Sequence, residues 1–301
     1  MTESGPRRAS PHWPSAASSV VGVMGDPIGH SLSPLLHNAA FDTLGLDWVS
    51  VAFPVPAGGV ADALAGMRVL GIVGLSVTMP HKHDAALLVD ECTDVAGRLG
   101  VVNCITQTNG RLTGDSTDGA GFIEALRRGC HFDPGGRRCL VVGAGGAARA
   151  VVMALADAGA DEVVVVNRTR ARAEAAAALA GGRGRVGAEA DVAHAELVVQ
   201  ATALGMAGSD GPPVPIDPEA LHDGQLVADL VYSPAVTPLL AAARARGAQT
   251  MGGLGMLVHQ AALALERWTG MEAPADAMWE AVQGRISPTG GMRGTPPVGD
   301  A

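Results

Sequence analysis

The chain has 301 residues, 48% of them hydrophobic, and a formal net charge of -9. That length supplies buried cores for two domains of roughly 100–200 residues each. The acidic balance argues against a general binder of nucleic acid or of anionic membranes, which needs basic patches, though a few Arg and Ser residues suffice to hold one phosphate or carboxylate.

Residues 1–19 carry Arg7, Arg8 and several Pro and Ser, and read as a flexible tail. The apolar run Val20 to Met24 is too short for a signal segment and predicts a strand, ended by Gly25-Asp26-Pro27. Pro34 to Leu44 has helical character, Trp48 to Phe53 predicts a strand, Val60 to Leu70 a helix, and Gly71 to Thr78 a strand stopped at Pro80. Leu87 to Leu99 predicts one more helix. This alternation predicts an α/β fold with a largely parallel sheet covered by helices. The linker to the second half of the chain is expected near Asp118 to Phe122 or in Asp133-Pro134-Gly135-Gly136.

A second series begins at Cys139. Cys139 to Val142, Glu162 to Val166, Leu197 to Ala201 and Leu226 to Leu230 are apolar runs of the kind that fit strands buried on both faces, with helices at Ala147 to Ala158 and Ala171 to Ala180. The last stretch, 286–301, is rich in Gly and Pro and reads as a second flexible tail. There is no solenoid-type repeat, and no run approaches the roughly 18 apolar residues of a membrane span. Cys92, Cys104, Cys130 and Cys139 form no CxxC pair and no zinc spacing with His, which predicts reduced thiols in a cytoplasmic protein and no bound metal.

Gly143-Ala144-Gly145-Gly146-Ala147-Ala148 follows a predicted strand and opens a predicted helix. In this G-x-G-x-x-A pattern, Gly143 permits a tight turn, Gly145 lets the backbone approach a pyrophosphate, and Ala148 allows close helix packing. The helix start supplies N–H groups to the phosphates. The next strand leads into Asn167-Arg168-Thr169-Arg170-Ala171-Arg172, with arginines where an NAD site places an acid for the ribose 2′-hydroxyl. A guanidinium grips a 2′-phosphate in a two-pronged contact, so the expected cofactor is NADP.

Three further segments carry polar groups in the first half. Ser31 and Ser33 in His30-Ser31-Leu32-Ser33-Pro34 lead into a helix, where hydroxyls suit either a small carboxylate or ordinary capping. Lys82, in Val77-Thr78-Met79-Pro80-His81-Lys82, falls in the first turn of a helix. The positive helix end disfavours a protonated ammonium and suits acid–base work, against the plain alternative of a solvated surface lysine. Asn103 and the stretch Gly114-Asp115-Ser116-Thr117-Asp118-Gly119 offer an amide and a carboxylate able to orient a polyol, or form only a turn.

Together these segments resemble the shikimate dehydrogenase family. The resemblance rests on the Ser31/Ser33 stretch, Val77 to Lys82, Val101-Val102-Asn103, Thr117-Asp118-Gly119, the glycine loop, Asn167 to Arg172, and Gly253-Leu254-Gly255-Met256-Leu257-Val258-His259-Gln260, in one order from about Val21 to Val282. It implies an NADP-dependent reduction of 3-dehydroshikimate to shikimate, with Lys82 as acid–base residue paired with Asp118. It implies that Ser31 and Ser33 bind the substrate carboxylate, and that Thr78, Asn103, Asp118, Tyr232 and Gln260 shape the rest of the pocket. Gly143, Ala144, Gly145, Gly146, Ala147, Asn167, Arg168, Thr169, Arg172 and Gly253 would serve the cofactor. It further implies a substrate domain over 20–118 plus 253–285, the latter a helical return, around a doubly wound NADP domain over 119–252, with a homodimer as the assembly.

Two departures stand out. Ser76 replaces an asparagine common in the family and lacks its amide N–H2 group, and Tyr232-Ser233-Pro234 is less basic than the family version. His81 and His83, beside Lys82, are read as bystanders. The rivals are a quinate/shikimate or aminoshikimate dehydrogenase of the same family, a methylene-tetrahydrofolate dehydrogenase of similar layout, and a non-catalytic sensor of a shikimate-like ligand. A sensor needs no acid–base pair.

Overall fold

Short apolar runs build two six-stranded sheets in the computed structural model, which describes residues 14–206 and 215–285. The stretches 1–13 and 286–301, expected to be tails, lie outside the described residues, whereas Ser19 already belongs to the first strand.

The first sheet is built from β1 (Ser19–Gly25), β2 (Trp48–Pro54), β3 (Gly74–Val77), β4 (Glu91–Cys92), β5 (Cys104–Thr108) and β6 (Arg111–Asp115), in the order β2-β1-β3-β5-β6-β4. Between its strands run α1 (Ser33–Leu44), α2 (Val60–Leu70), α3 (Lys82–Leu88) and α4 (Asp94–Leu99). Two expectations need correction. The sheet is mixed rather than largely parallel, because β5 pairs antiparallel with both β3 and β6. The hairpin turns at Asn109-Gly110, both with positive φ (51° and 81°), a pairing that matches the twist of the strands it joins. The single helix expected over Leu87 to Leu99 is broken. Val89 adopts an extended conformation at the end of α3, the Asp90 carboxylate accepts from the Leu112 N–H at 2.7 Å, and β4 pairs with β6 before Thr93 caps α4. Tertiary pairing overrides a local helical pattern here.

α5 (Asp118–Cys130) leads out of this sheet, so Asp118 to Phe122 is helical and only Asp133 to Gly136 lies in the connection beyond it. The second sheet holds β7 (Arg138–Val142), β8 (Glu162–Val166), β9 (Gly184–Val186), β10 (Leu197–Gln200), β11 (Leu226–Asp229) and β12 (Gln249–Gly252), with α6 (Gly146–Asp157), α7 (Arg170–Ala177) and α8 (Pro238–Ala245) around it. Every pairing is parallel, and the order β12-β11-β10-β7-β8-β9 is that of a doubly wound nucleotide-binding sheet. Alternate residues of these strands feed two cores. Val141, Val163, Val165 and Val199 pack on one face, and Leu140, Val164, Val198 and Val227 on the other.

α9 (Leu254–Thr269) and α10 (Ala275–Gln283) then return to the first sheet. Val258, Leu265, Trp268 and Met278 share a core with Val21, Leu36 and Phe41, and the Trp268 indole N–H donates to the Ile105 carbonyl at 3.1 Å. This return closes the crevice between the two sheets.

Candidate active site

The chain lays its chemistry-bearing side chains around a cavity of about 200 Å3 in that crevice. Lys82 is the first residue of α3 and Asp118 the first residue of α5. Their side chains meet in an ion pair, Nζ to Oδ2 at 2.5 Å, with the lysine 21% and the aspartate 8% exposed. A carboxylate at the start of a 13-residue helix is favoured by the helix dipole, and here it faces the cavity rather than solvent. Lys82 is the only lysine in the chain.

The other oxygen of Asp118, Oδ1, accepts from the Asn103 amide at 2.8 Å. That amide is itself oriented by Thr117, whose N–H donates to Asn103 Oδ1 at 2.7 Å. Gln260 comes from the returning α9, and its Oε1 stands 3.4 Å from Asn103 Nδ2. Ser31, Ser33, Thr78 and Tyr232 also line the cavity, so every residue expected at the substrate stands around one space. Ser33 heads α1 and Ser31 accepts from its N–H at 3.3 Å, while Leu32, at the capping position, makes no side-chain cap. Both hydroxyls therefore have capacity left for a ligand. Burial pushes the Tyr232 phenol up, which keeps it a neutral donor.

His81 is fully buried and its Nε2 contacts the Val55 carbonyl at 2.7 Å. His83 contacts the Gly100 carbonyl at 3.1 Å. Neither lines the cavity. Ser76 does line it, and its buried hydroxyl has no hydrogen-bond partner. A buried polar atom left open in a cavity is costly unless a ligand or water completes it. Two features escape the sequence. Thr117 reads there only as the neighbour of Asp118, although a hydroxyl residue before a helix is itself a signal. Asp115, at the end of β6, pairs with Arg267 of α9 at 3.0 Å and with Thr93 Oγ1 at 2.6 Å. Burial opposes its ionisation, but the donors from Thr93, Arg267 and the Ser116 N–H outweigh this and hold its carboxyl below the usual range.

The glycine loop opens on the same crevice. Gly143 follows β7 at φ +120°, and a Cβ there would lie 2.9 Å from the Ala201 carbonyl oxygen, which follows β10. β7 and β10 are neighbours at the point where strand order reverses, the usual dinucleotide position. Gly145 is exposed at the start of α6, and no side chain caps the N–H groups there. Ala148 is fully buried beneath the turn, and Ala147, Leu230 and Gly253 reach the substrate cavity. Asn167 donates to the Thr169 carbonyl at 3.0 Å and shapes the turn after β8. Arg170 is taken up by Glu174 at 2.8 Å, whereas Arg168 and Arg172 are exposed and pair with no carboxylate among the described residues. An uncapped helix start, a turn closed to side chains and two uncommitted guanidinium groups fit a dinucleotide bearing a 2′-phosphate.

The cysteines take no part. All four are free, and burial pushes the Cys104 and Cys139 thiols up to about 12, where they are inert. Among the described residues no group of three His, Cys, Asp or Glu could hold a metal ion, and no helix is long and apolar enough to cross a membrane.

Known proteins are similar to this chain in sequence and in fold. The family described as "Shikimate dehydrogenase substrate binding domain" matches residues 23–105, "Shikimate / quinate 5-dehydrogenase" matches 130–204, and "Shikimate 5'-dehydrogenase C-terminal domain" matches 253–283. The shikimate dehydrogenase (NADP(+)) of Methanopyrus kandleri is 46% identical over 89% of this chain and 96% of its own. That of Moorella thermoacetica is 43% identical over 87% and 92%. The crystal structure of shikimate 5-dehydrogenase from Thermus thermophilus in complex with NADP(H) and shikimate superposes with a TM-score of 0.82, at 37% identity, over 87% of this chain and 98% of that one. With the lysine–aspartate pair, the hydroxyl-lined cavity and the glycine turn at one crevice, the chain belongs to the shikimate dehydrogenase family.

Proposed function

We propose that this chain is an NADP-dependent shikimate dehydrogenase that reduces 3-dehydroshikimate to shikimate and runs the reverse oxidation, and that the residues above carry the roles expected of them. The observation that carries the reading is the Lys82–Asp118 pair, 2.5 Å apart on the wall of a cavity shared by the glycine loop and two open serine hydroxyls. Curated relatives at 40–46% identity bear the name shikimate dehydrogenase (NADP(+)), and the cavity has the hydroxyl and amide groups a ring polyol requires.

The Gly143–Ala147 turn with Arg168 and Arg172 would hold the cofactor, which when bound would supply the hydride to the carbonyl carbon. The chain's own groups handle oxygen and position. Lys82 Nζ donates a proton to the carbonyl oxygen as charge develops there, and takes it back in the oxidation. Asp118 holds the ammonium in place through Oδ2, and Asn103 holds Asp118 through Oδ1. Ser31 and Ser33 bind the carboxylate and so fix the ring. Asn103, Thr78, Tyr232 and Gln260 orient the hydroxyl groups, and the open Ser76 hydroxyl donates to the same ligand. Closure of the two sheets over the crevice excludes water while hydride moves.

The cytoplasmic setting is supported by four unpaired thiols. A homodimer follows from the family resemblance, and light scattering of the purified chain tests it. The decisive experiment measures turnover of shikimate and of quinate with NADP and with NAD. Shikimate with NADP is expected to give the highest kcat/KM, and a preference for quinate or for NAD overturns that part of the reading.

A further inference from the structure

Resting on the activity just described, we propose that Thr117 is a positioning residue for the reaction: its hydroxyl locks the Asn103 amide in the one orientation that supports the Asp118–Lys82 pair.

Thr117 stands at the capping position of α5, where a threonine ordinarily accepts a hydrogen bond from an N–H of its own helix. It does not do so here. Its backbone lies in the right-handed helical region (φ -91°, ψ -6°) and its side chain makes no cap. The residue is 2% exposed, and its hydroxyl is directed to two other segments of the chain. Oγ1 receives the Asn103 amide N–H at 3.0 Å and stands 3.0 Å from the Gln260 backbone carbonyl. A hydroxyl has one proton, and of its two acceptors, the Gln260 carbonyl at 3.0 Å and Asn103 Oδ1 at 3.3 Å, the nearer carbonyl takes it while Asn103 Nδ2 donates to the oxygen. Asn103 Oδ1, on the other side of the same amide, takes the Thr117 N–H.

The amide orientation follows from these contacts. With Oδ1 on the Thr117 N–H, the two Nδ2 protons go to the nearer two of three acceptors, Asp118 Oδ1 at 2.8 Å and Thr117 Oγ1 at 3.0 Å, with Gln260 Oε1 farther off at 3.4 Å. Rotating the amide by 180° would set its oxygen against the Asp118 carboxylate and its N–H2 against a backbone N–H. Thr117 thus holds Asn103 at two points, its N–H on Oδ1 and its Oγ1 on Nδ2, Asn103 in turn holds Asp118, and Asp118 holds Lys82. The chain of contacts runs from α9 through Thr117 and Asn103 to the reacting lysine. Asn103, Asp118, Lys82 and Gln260 line the substrate cavity, but Thr117 does not. It borders a separate cleft of about 550 Å3 between α5, α6 and α9. It therefore acts through Asn103, with no contact to substrate.

The experiment compares Thr117→Val, nearly the same shape without the hydroxyl, and Thr117→Ser, which keeps it. Loss of one hydrogen bond that orients a charged group predicts about a tenfold lower kcat for Thr117→Val, with KM for shikimate and for NADP within about threefold of wild type. Thr117→Ser is expected to restore kcat to within about twofold of wild type, a difference set by the number of hydrogen bonds kept. In an Asn103→Ala background, Thr117→Val is expected to add almost nothing, since residues acting through one another do not add. Should Thr117→Val not fold, as judged by circular dichroism, Thr117→Ala takes its place against Thr117→Ser. A folded Thr117→Val enzyme with normal kcat, a Thr117→Ser enzyme as slow as the valine variant, or full additivity with Asn103→Ala would each overturn the proposal. Wild-type turnover and Lys82→Ala are measured alongside. A wild type inert on shikimate defeats the activity reading itself, whereas an active wild type with an unaffected Thr117→Val defeats only the role of Thr117.

Discussion

The two sheets of this protein divide the work in different ways. The second, all-parallel sheet opens on the crevice mainly with backbone: a turn at Gly143 with no room for a Cβ, and the uncapped start of α6. The first, mixed sheet lines its cavity with side chains, Lys82, Asn103, Asp118 and the two serines, delivered by the ends of its strands and the starts of its helices. A phosphate is served by any well-placed N–H, so a regular sheet and a glycine turn suffice. A proton transfer needs named groups at named distances, and the irregular sheet, with its hairpin and its broken helix, brings Lys82, Asp118 and Asn103 within such distances. Substitutions should accordingly do most damage to catalysis in the first sheet and to cofactor choice in the second.

The largest effect is expected at Lys82. Lys82→Ala should lower kcat by about 10²–10⁴-fold with a much smaller change in KM for shikimate, the reach of general acid–base catalysis. Asp118→Asn should lower kcat as well and alter its pH profile. Steady-state kinetics across pH, with circular dichroism to confirm folding, provide the check. Near-normal kcat in a folded Lys82→Ala enzyme removes the lysine from the mechanism.

The next effect separates the sheets by stability. Burial drives the His37 imidazole, packed beside Phe41 and Trp268 in the core under α1, from 6.5 down to about 4. Below pH 6.5 the unfolded chain takes up a proton that the folded chain refuses until about pH 4, so stability falls as pH drops through that window. At about 1.4 kcal/mol per pH unit, the total is of order 3 kcal/mol. Thermal melts from pH 7 to pH 4 should show this slope in the wild type and a shallower one in His37→Phe. Equal slopes would show that His37 does not set the acid response of the first domain.

At the cofactor turn, Arg168→Ala and Arg172→Ala should each weaken NADP by about tenfold or more, a loss of roughly 1.5–3 kcal/mol for a charge-assisted contact, and leave NAD nearly unchanged. Isothermal titration with both dinucleotides reads the difference. Equal losses would mean that the arginines do not recognise the 2′-phosphate. The smallest effect is expected at the serines. Ser31→Ala and Ser33→Ala should each raise KM for shikimate by about fivefold with little change in kcat, because their contacts persist from ground state to transition state. An unchanged KM in both variants returns the two serines to the start of α1 as structural groups.

Much of the fold is legible along the chain. The four apolar runs of the second domain fall where β7, β8, β10 and β11 form, since strands buried on both faces announce themselves by composition. The short strands β4 and β9 carry too few residues to show a period, β12 (Gln249–Gly252) is not an apolar run, and β4 pairs only with β6. The β5–β6 hairpin has a local signal, Asn109-Gly110 between alternating residues, which a reading by apolar runs alone misses.

What the sequence by itself determined was the set of local geometries: the glycine turn at Gly143, the helix start at Lys82, the arginines after β8, and the family to which this order of motifs belongs. These depend on neighbours a few residues away, whose sterics and backbone hydrogen bonds act within a turn or a strand. Only the tertiary structure decided which of them meet. Lys82 and Asp118 are 36 residues apart in the chain and Asn103 and Gln260 are 157 apart, yet each pair shares one cavity. Their convergence depends on β1, β3 and β5 lying side by side and on α9 packing back over the first sheet through Val258, Leu265 and Trp268. The same packing turned the Thr117 hydroxyl from its own helix to Asn103 and Gln260, a choice made by the partners that folding brought within reach.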